Sequence, residues 1–223
     1  MGENMEKLKA VLFDLDGTLT DTLQDLTSAV NYALAENKMP LRTLAEVRKM
    51  VGNGLYSLAC KVAKENSAEE EIKQVYESLI SYYGEHSLVF TRPYAGVDTL
   101  LATLKRAGVK LGVISNKADA PTKAIAERFF PNTFTVVLGQ REGVPKKPDP
   151  TAIREALTLL QVTEEEAAYV GDSEVDVFTA KNANLPLYAV TWGFRDPEEL
   201  TQAGATHLFH TAEALSKAIL SRV

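Results

Sequence analysis

Apolar and polar positions along the chain divide it into short strand-like runs and longer helical stretches. Residues 10–13 form a continuous apolar run, which predicts a strand buried on both faces. After residue 97, helical periodicity alternates with further apolar runs, which predict strands at 110–115, 134–139, 167–171, 187–191 and 206–209. Strands that alternate with helices predict an α/β fold, a doubly wound and Rossmann-like parallel sheet with helices on both faces.

One helical block interrupts this alternation. Between the first strand and residue 87, the apolar positions follow helical spacing and no strand signal occurs. A block of this kind, placed directly after the first strand, is typical of an insertion. We therefore expect an α/β core made of residues 1–20 and 88–223, with an all-helical cap of residues 21–87 inserted after the first strand.

Helix starts within this block are marked by two capping boxes. Thr43-x-x-Glu46 and Ser67-x-x-Glu70 each place a hydroxyl residue three positions before a glutamate. In a capping box the hydroxyl accepts from the backbone of the glutamate, and the glutamate accepts from the backbone of the hydroxyl residue. We therefore expect helices to begin immediately after Thr43 and after Ser67.

Composition and charge indicate a globular chain that acts on small molecules. The chain has 223 residues, 45% of them hydrophobic, and a formal net charge of −6 without a basic stripe, which argues against nucleic-acid binding. No apolar run has the length of a membrane helix, so no membrane partner is expected. Cys60 is the only cysteine, which favours a reducing, cytoplasmic location. We expect a monomer or a dimer.

Two aspartates follow the first predicted strand. Asp14 and Asp16 stand one residue apart, and Gly17 and Thr18 come directly after them. Residues i and i+2 of an extended chain point the same way, so both carboxylates can share one pocket. Because like charges repel and burial adds a desolvation cost, a fold retains such a pair where a cation or a proton transfer uses it. An ordinary Asp-Gly turn is the simpler alternative.

Polar side chains also stand where the later strands end. Ser115 and Asn116 follow the second core strand, and Asp172 and Asp176 follow the strand predicted at 167–171. Lys147 lies in a basic, proline-rich loop ahead of the next helix. The carboxyl ends of parallel strands form the ligand crevice of a doubly wound sheet, so these groups are expected to meet. These side chains are of the kind that binds a phosphate ester and a divalent metal at one site.

The charges of these polar side chains indicate which metal the predicted site holds. Asp14, Asp16, Asp172 and Asp176 are acidic, a phosphoryl group adds further negative charge, and Lys147 supplies a single positive charge. Mg²⁺ prefers hard oxygen ligands and is commonly held by one or two carboxylates together with substrate phosphate. The predicted cofactor is therefore Mg²⁺, and the predicted partner is a small phosphorylated metabolite.

The order of these motifs resembles a known family. The haloacid dehalogenase superfamily has four ordered motifs, which are similar to Asp14-Leu15-Asp16-Gly17-Thr18, Ser115, Lys147 and Gly171-Asp172-x-x-x-Asp176. Within it, the phosphoglycolate phosphatases are the most similar group, because of Asp21, Pro93-Tyr94-x-Gly96-Val97, Ser115-Asn116-Lys117, Lys147-Pro148-Asp149-Pro150 and Thr191-Trp192-Gly193. The resemblance covers essentially the whole chain.

The resemblance implies a role for each catalytic side chain. Asp14 would attack phosphorus and form an aspartyl-phosphate, which divides one difficult step into two. Asp16 would protonate the leaving oxygen, then activate the water that hydrolyses the intermediate. Lys147 would bind the substrate phosphoryl group and neutralise its charge and that of the nucleophile. The implied reaction is hydrolysis of a phosphate monoester, with 2-phosphoglycolate as a candidate substrate.

The resemblance also implies binding residues for the phosphate and the metal. Thr18, Ser115 and Asn116 would donate hydrogen bonds to the phosphate oxygens. Mg²⁺ would be held by Asp14, by the backbone carbonyl of Asp16 and by Asp172. Asp176 would not touch the metal but would orient its ligands.

Other functions and simpler interpretations stay open at this point. A phosphomutase of the β-phosphoglucomutase type has the same motifs and a similar insert. A non-enzymatic phospho-receiver is also doubly wound and acidic, but its phosphate-accepting aspartate follows a later strand. Arg48, Lys49 and the turn around Asn53 are candidates for substrate specificity, although a solvated helix face explains the two cations equally well.

Overall fold

The computed structural model describes residues 7–63 and 66–223. The strands are β1 (Ala10–Phe13), β2 (Thr20–Asp21), β3 (Arg92–Pro93), β4 (Lys110–Ala118), β5 (Val136–Gln140), β6 (Ala167–Gly171), β7 (Leu187–Val190) and β8 (Leu208–Phe209). The helices are α1 (Leu23–Glu36), α2 (Leu44–Met50), α3 (Leu55–Val62), α4 (Glu69–His86), α5 (Val97–Arg106), α6 (Asp119–Phe129), α7 (Thr151–Leu160), α8 (Glu174–Asn182), α9 (Pro197–Ala203) and α10 (Ala212–Leu220). None of these helices is long and apolar enough to cross a membrane.

The main sheet has the predicted doubly wound, parallel arrangement. Its order over the described residues is β5-β4-β1-β6-β7-β8, and every neighbouring pair is parallel. Successive side chains of β1 point to opposite faces of the sheet. Val11 and Phe13 pack in one hydrophobic cluster with α5 and α10. Ala10 and Leu12 pack in another with α7. The apolar run of β1 is therefore buried because it forms the centre of a sheet covered on both sides.

Several boundaries differ from the sequence prediction: the strands predicted at 134–139, 187–191 and 206–209 are Val136–Gln140, Leu187–Val190 and Leu208–Phe209. β4 continues past residue 115 to Ala118, which pairs with Gln140 of β5 beyond an irregularity in the register. The expected cap of α4 at Ser67 is wrong by one residue: Ala68 occupies the cap position, and its backbone N–H donates to Glu71. The capping box of α2 is confirmed, since Thr43 and Glu46 each accept from the backbone of the other.

Helices α1–α4 lie between β2 and β3. Thr20 pairs with Pro93 and Asp21 with Arg92 in a separate two-stranded antiparallel ribbon that the sequence did not predict, so the segments before α1 and after α4 lie side by side. The four helices pack on one another around a hydrophobic cluster of their own, which Phe194 from the sheet side also joins. The domain boundaries before residue 21 and after residue 87 stay a prediction.

Candidate active site

Three aspartates converge at the carboxyl end of the central strands. Asp14 follows β1, Asp172 follows β6, and Asp176 lies in the first turn of α8. Each offers one carboxylate oxygen within 4.8 Å of the others, and all three side chains are buried. β1 and β6 are parallel neighbours, so the residues that follow them lie side by side. The structure thus brings together three carboxylates that the sequence placed after two different strands, Asp14 after the first and Asp172 and Asp176 after the one at 167–171.

Lys147 enters this cluster from the loop between β5 and α7. Its Nζ lies 2.9 Å from Asp14 Oδ1 and 2.8 Å from Asp176 Oδ1, and it donates to Tyr169 Oη at 2.9 Å. Burial alone would lower the pKa of Lys147, but Asp14 and Asp176 outweigh burial and hold the pKa well above its usual value. Lys147 therefore remains a cation between two carboxylates, whereas its neighbour Lys146 is exposed.

Asp176 is held by donors on both of its oxygens. Oδ1 accepts from Lys147 and from Tyr169, and Oδ2 accepts from the backbone N–H groups of Asp172 and Ser173 and from the Ser173 hydroxyl. A carboxylate with this many partners has a fixed position. Asp176 thus bonds to Lys147 and to the backbone of Asp172, and its predicted role of orienting the ligands of the metal stays a prediction.

Asp172 is fixed by contacts from two other loops. Its Oδ2 accepts from the backbone N–H of Phe194 at 2.7 Å, and its Oδ1 accepts from Thr18 Oγ1 at 2.8 Å. Thr18 is buried and its hydroxyl donates to Asp172, and its predicted hydrogen bond to a substrate phosphate stays a prediction. Gly17, directly before Thr18, has φ +93°, and a Cβ there would lie 2.3 Å from Asp172 Oδ2, so this turn requires glycine.

The carboxyl groups of this cluster offer more negative charge than the cation Lys147 neutralises. Burial raises the pKa of Asp14 well above its usual value, with Asp176 and Asp172 raising it further against the opposing effect of Lys147. Burial, followed by the charge of Asp176, raises the pKa of Asp172 to about 7. Hard oxygen donors with unbalanced negative charge suit a divalent cation. The buried aspartate cluster can therefore hold a metal.

Asp16 lies apart from the cluster and has its own cation. Lys117 Nζ lies 3.2 Å from Asp16 Oδ1 and donates to Tyr83 Oη of α4 at 2.6 Å. Burial would lower the pKa of Lys117, yet Asp16 and Tyr83 outweigh it and raise that pKa. Sequence reasoning did not assign a role to Lys117 or Tyr83. The adjacency of Lys117 to Ser115 and Asn116 was the available signal, but its partners lie far away in the sequence.

Ser115 and Asn116 both line the cavity above the aspartates. The Ser115 hydroxyl accepts from the backbone N–H of Lys117 at 3.2 Å. The Asn116 amide accepts from the Lys147 N–H and donates to the carbonyls of Lys147 and Gly52. Asn116 therefore holds the Lys147 loop and the turn after α2, and its predicted hydrogen bond to phosphate stays a prediction.

The candidate specificity residues of α2 and its following turn have different surroundings from those expected. Arg48 donates to the Gly193 carbonyl and to Asp196 Oδ1, both at 3.1 Å, so it contacts the sheet side and does not line the cavity. The expectation that Arg48 reaches the substrate is therefore not supported. Lys49 is exposed, and neither it nor Asn53 belongs to the cavity lining, although Gly52 beside Asn53 does.

The loop after β7 connects the aspartates to helices α1–α4. The Phe194 N–H donates to Asp172, while the Phe194 ring packs in the hydrophobic cluster of those helices. Arg195 is buried, pairs with Glu174 at 2.7 Å, and donates to the carbonyls of Arg48 and Val51 at the end of α2. One short loop therefore contacts both the acidic cluster and the helical insertion.

A cavity of about 710 Å³ lies between this acidic end of the sheet and helices α1, α3 and α4. Asp14, Asp16 and Lys147 form one end of it, and apolar side chains of the helices form the other. A cavity of this size with a few convergent charged groups is typical of a small-molecule site.

The model of the haloacid dehalogenase-like hydrolase family matches residues 11–190. The chain belongs to the haloacid dehalogenase-like hydrolase family. The phosphoglycolate phosphatase of Neisseria meningitidis serogroup A is 34% identical over 211 residues, which cover 92% of this chain and 90% of that protein. The enzyme of the same name from Rhodospirillum rubrum is 34% identical over 209 residues, covering 90% of this chain and 86% of that protein.

Solved structures of similar proteins have the same fold. A candidate phosphoglycolate phosphatase from Lactobacillus delbrueckii subsp. bulgaricus has a TM-score of 0.92 at 33% identity and covers 96% of this chain and 98% of its own. A predicted phosphatase from Clostridium acetobutylicum has a TM-score of 0.86 at 32% identity, covering 97% and 100%. The resemblance to haloacid dehalogenase hydrolases, the fold class and the expectation of an enzyme are therefore confirmed.

Proposed function

We propose that this hydrolase is a Mg²⁺-dependent phosphatase that cleaves a phosphate monoester through an aspartyl-phosphate. The observation that carries this proposal is the separation of the two neighbouring aspartates into different surroundings. Asp14 lies with Lys147 in the acidic cluster, and Asp16 lies with Lys117 outside it. A double displacement needs a nucleophile beside a fixed cation and a second carboxylate that moves the proton. Here the second carboxylate lies within the same cavity but outside the cluster.

The reaction proceeds in two steps on these residues. A carboxylate oxygen of Asp14 attacks phosphorus, the bond from phosphorus to the ester oxygen breaks, and Asp16 gives its proton to the leaving alcohol. Asp16 then takes a proton from water, the water oxygen attacks phosphorus, and the bond to Asp14 breaks to release phosphate. Lys147 stabilises the negative charge on Asp14 and on the phosphoryl oxygens in both steps.

The acidic cluster fits the predicted cofactor. Asp14 and Asp172, with the backbone carbonyl of Asp16, would hold Mg²⁺, while Asp176 keeps Lys147 and the start of α8 in place. When bound, Mg²⁺ supplies positive charge beside the phosphoryl oxygens. Thr18 and the Phe194 N–H donate hydrogen bonds to Asp172 and so fix its orientation toward the metal site.

The names of the relatives indicate a first substrate to assay. Two proteins at 34% identity are called phosphoglycolate phosphatases, so 2-phosphoglycolate is the reference ester for this chain. We infer that residues 21–87 act as a cap over the cavity, because helices α1, α3 and α4 contribute to its lining. A cytoplasmic location and a monomeric or dimeric state stay predictions.

Phosphate release by single variants tests the mechanism. Asp14→Asn and Asp16→Asn are each expected to lose at least about 100-fold in kcat, the low end of the usual effect of a nucleophile or general acid. Asp98→Asn, at an exposed position of α5, serves as the matched control and should retain wild-type activity. Retained turnover in Asp14→Asn would exclude the aspartyl-phosphate. Isomerised sugar phosphate without free phosphate would identify a mutase instead.

A further inference from the structure

The end of the cavity away from the aspartates is apolar and aromatic. Its wall is formed by Leu26 of α1, by Leu55, Tyr56 and Leu58 of α3, and by Tyr76 and Ile80 of α4. Tyr56 and Tyr76 meet edge to face, with ring centroids 5.3 Å apart. An aromatic pair of this geometry presents a firm surface against which a flat group can pack.

This wall extends well beyond the space that a two-carbon ester needs. Tyr83, Ile80 and Tyr76 lie on one face of α4, and the seven helical steps from Tyr76 to Tyr83 span about 10 Å at a rise of 1.5 Å per residue. At about 30 Å³ for each water-sized group, the roughly nine non-hydrogen atoms of 2-phosphoglycolate fill less than half of the 710 Å³ cavity.

Among the described cations of the lining, only the exposed Lys146 is left as a partner for a second anionic group. Among the described lining residues the cations are Lys117, Lys146 and Lys147, all of them on the sheet side. Lys117 is paired with Asp16, and Lys147 with Asp14 and Asp176. Lys146 is exposed beside the Gly52–Gly54 turn. The described helical residues of the lining contribute no lysine, arginine or histidine.

Gly84 lines the cavity at an exposed position. It lies in the last turn of α4 and lines the cavity, yet a Cβ built at this position meets no atom within 4 Å. Its φ angle is not in the left-handed region, so the backbone does not require glycine there. A larger side chain at this position would therefore extend into open space beside Tyr83, at the exposed edge of the cavity.

We propose that the cavity selects phosphate monoesters with a bulky, uncharged aromatic or apolar organic group, in preference to esters of small carboxylic acids. The proposal rests on the phosphatase function proposed above and names its substrate class. The phosphoryl group would lie on Asp14 and Lys147, and the organic group would extend along α4 toward Tyr76. Removal of that apolar surface from water supplies the affinity.

Binding of phosphonates, which cannot be hydrolysed, tests this selectivity without relying on turnover. Benzylphosphonate represents the bulky class, and 3-phosphonopropionate represents the carboxylate class. Isothermal titration of wild-type protein with Mg²⁺ present is expected to give at least about 10-fold tighter binding of benzylphosphonate, or ~1.4 kcal/mol. Tighter binding of 3-phosphonopropionate that is lost in Lys146→Met would overturn the proposal.

Variants of the wall show whether this surface causes the preference. Gly84→Leu fills the open space, and Ile80→Asn makes the wall polar, so both should lower the binding ratio of benzylphosphonate to 3-phosphonopropionate by at least about 5-fold. Leu159→Asn makes the same kind of change at an exposed apolar position of α7, outside the cavity lining, and should leave the ratio unchanged. An unaltered ratio in both wall variants would contradict the proposal.

The ratio of kcat/KM for benzyl phosphate and 2-phosphoglycolate provides the catalytic counterpart. We expect the wild-type ratio to exceed 10 and to fall in Gly84→Leu. If neither ester is hydrolysed, the phosphatase function fails while the phosphonate titrations still decide the selectivity of the cavity. If both are hydrolysed with 2-phosphoglycolate preferred, the function stands and the proposed substrate class is wrong.

Discussion

Lys117 Nζ lies 3.2 Å from Asp16 Oδ1 and 2.6 Å from Tyr83 Oη. Lys117 belongs to β4 and Tyr83 to α4, so this contact joins the sheet to the helical insertion. It does so at Asp16, the residue proposed to move the proton. The Lys117 side chain is 6% exposed, which makes the pair far less accessible to water than an ordinary surface salt bridge. Burial also raises the pKa of Tyr83 to about 12, so its hydroxyl stays protonated.

Lys117→Met is expected to lower kcat by about 10-fold or more, since Asp16 loses the cation that fixes its position. KM should change less than kcat, because Lys117 is paired with Asp16 and not with the proposed phosphoryl site. Steady-state kinetics with saturating Mg²⁺ measure both values. Lys123→Met removes a lysine from an exposed pair with Asp119 on α6 and is the matched control. Equal kcat values for the two variants would show that the Lys117 contact does not serve catalysis.

Arg195→Met is expected to destabilise the fold by about 2 kcal/mol or more. The guanidinium is buried, and its removal leaves Glu174 and the carbonyls of Arg48 and Val51 without their donor. Urea denaturation followed by circular dichroism measures the change. Arg48→Met, on a side chain that is 36% exposed, should cost clearly less. A smaller loss in Arg195→Met than in Arg48→Met would contradict this interpretation of the loop.

Gly193→Ala should weaken Mg²⁺ binding by about 10-fold or more. A Cβ at this position would lie 2.3 Å from the Gly17 carbonyl oxygen and 2.4 Å from the side chain of Asp172, so the acidic residue must move. Displacement of groups that hold a metal ligand commonly costs 10- to 100-fold in affinity. Titration of the metal-free protein with Mg²⁺ measures the effect. Gly84→Ala, which meets no neighbouring atom, is the control and should bind Mg²⁺ as the wild type does.

Stabilisation by Mg²⁺ is expected to grow as pH rises from about 5.5 to about 7.5. In the metal-free fold the pKa of Asp172 is raised to about 7, mainly by burial, above an unfolded value of about 3.9. The stability from this group is therefore present below about pH 4 and is lost as pH rises toward 7. Metal binding requires the ionised carboxylate, so its contribution increases over that same range.

Thermal unfolding with and without Mg²⁺ at several pH values checks this dependence. The increase in Tm on adding Mg²⁺ should be small at the acidic end and larger near neutral pH. Asp172→Asn should lose most of the Mg²⁺ effect at every pH. A wild-type Tm increase that is the same at all pH values would show that ionisation of this cluster does not control metal binding.

Much of this protein follows from local properties of its sequence. The apolar run of residues 10–13 predicts a strand covered on both faces, and the helical spacing that follows Asp21 predicts the helices of the insertion. The motif order placed Asp14 and Asp172 after strands, and parallel pairing of β1 with β6 then brings their carboxylates together. A local pattern of this kind predicts a site whenever the topology is regular.

Contacts between distant segments required the tertiary structure. Lys146 and Lys147 are adjacent and chemically equal in the sequence, but only Lys147 is turned into the acidic cluster. Thr18 donates to Asp172, and Arg48 donates to the loop after β7. The partners of Lys117 are 101 and 34 residues away in the chain. Packing of the helices on the sheet sets these distances, and neither residue type nor local spacing encodes them.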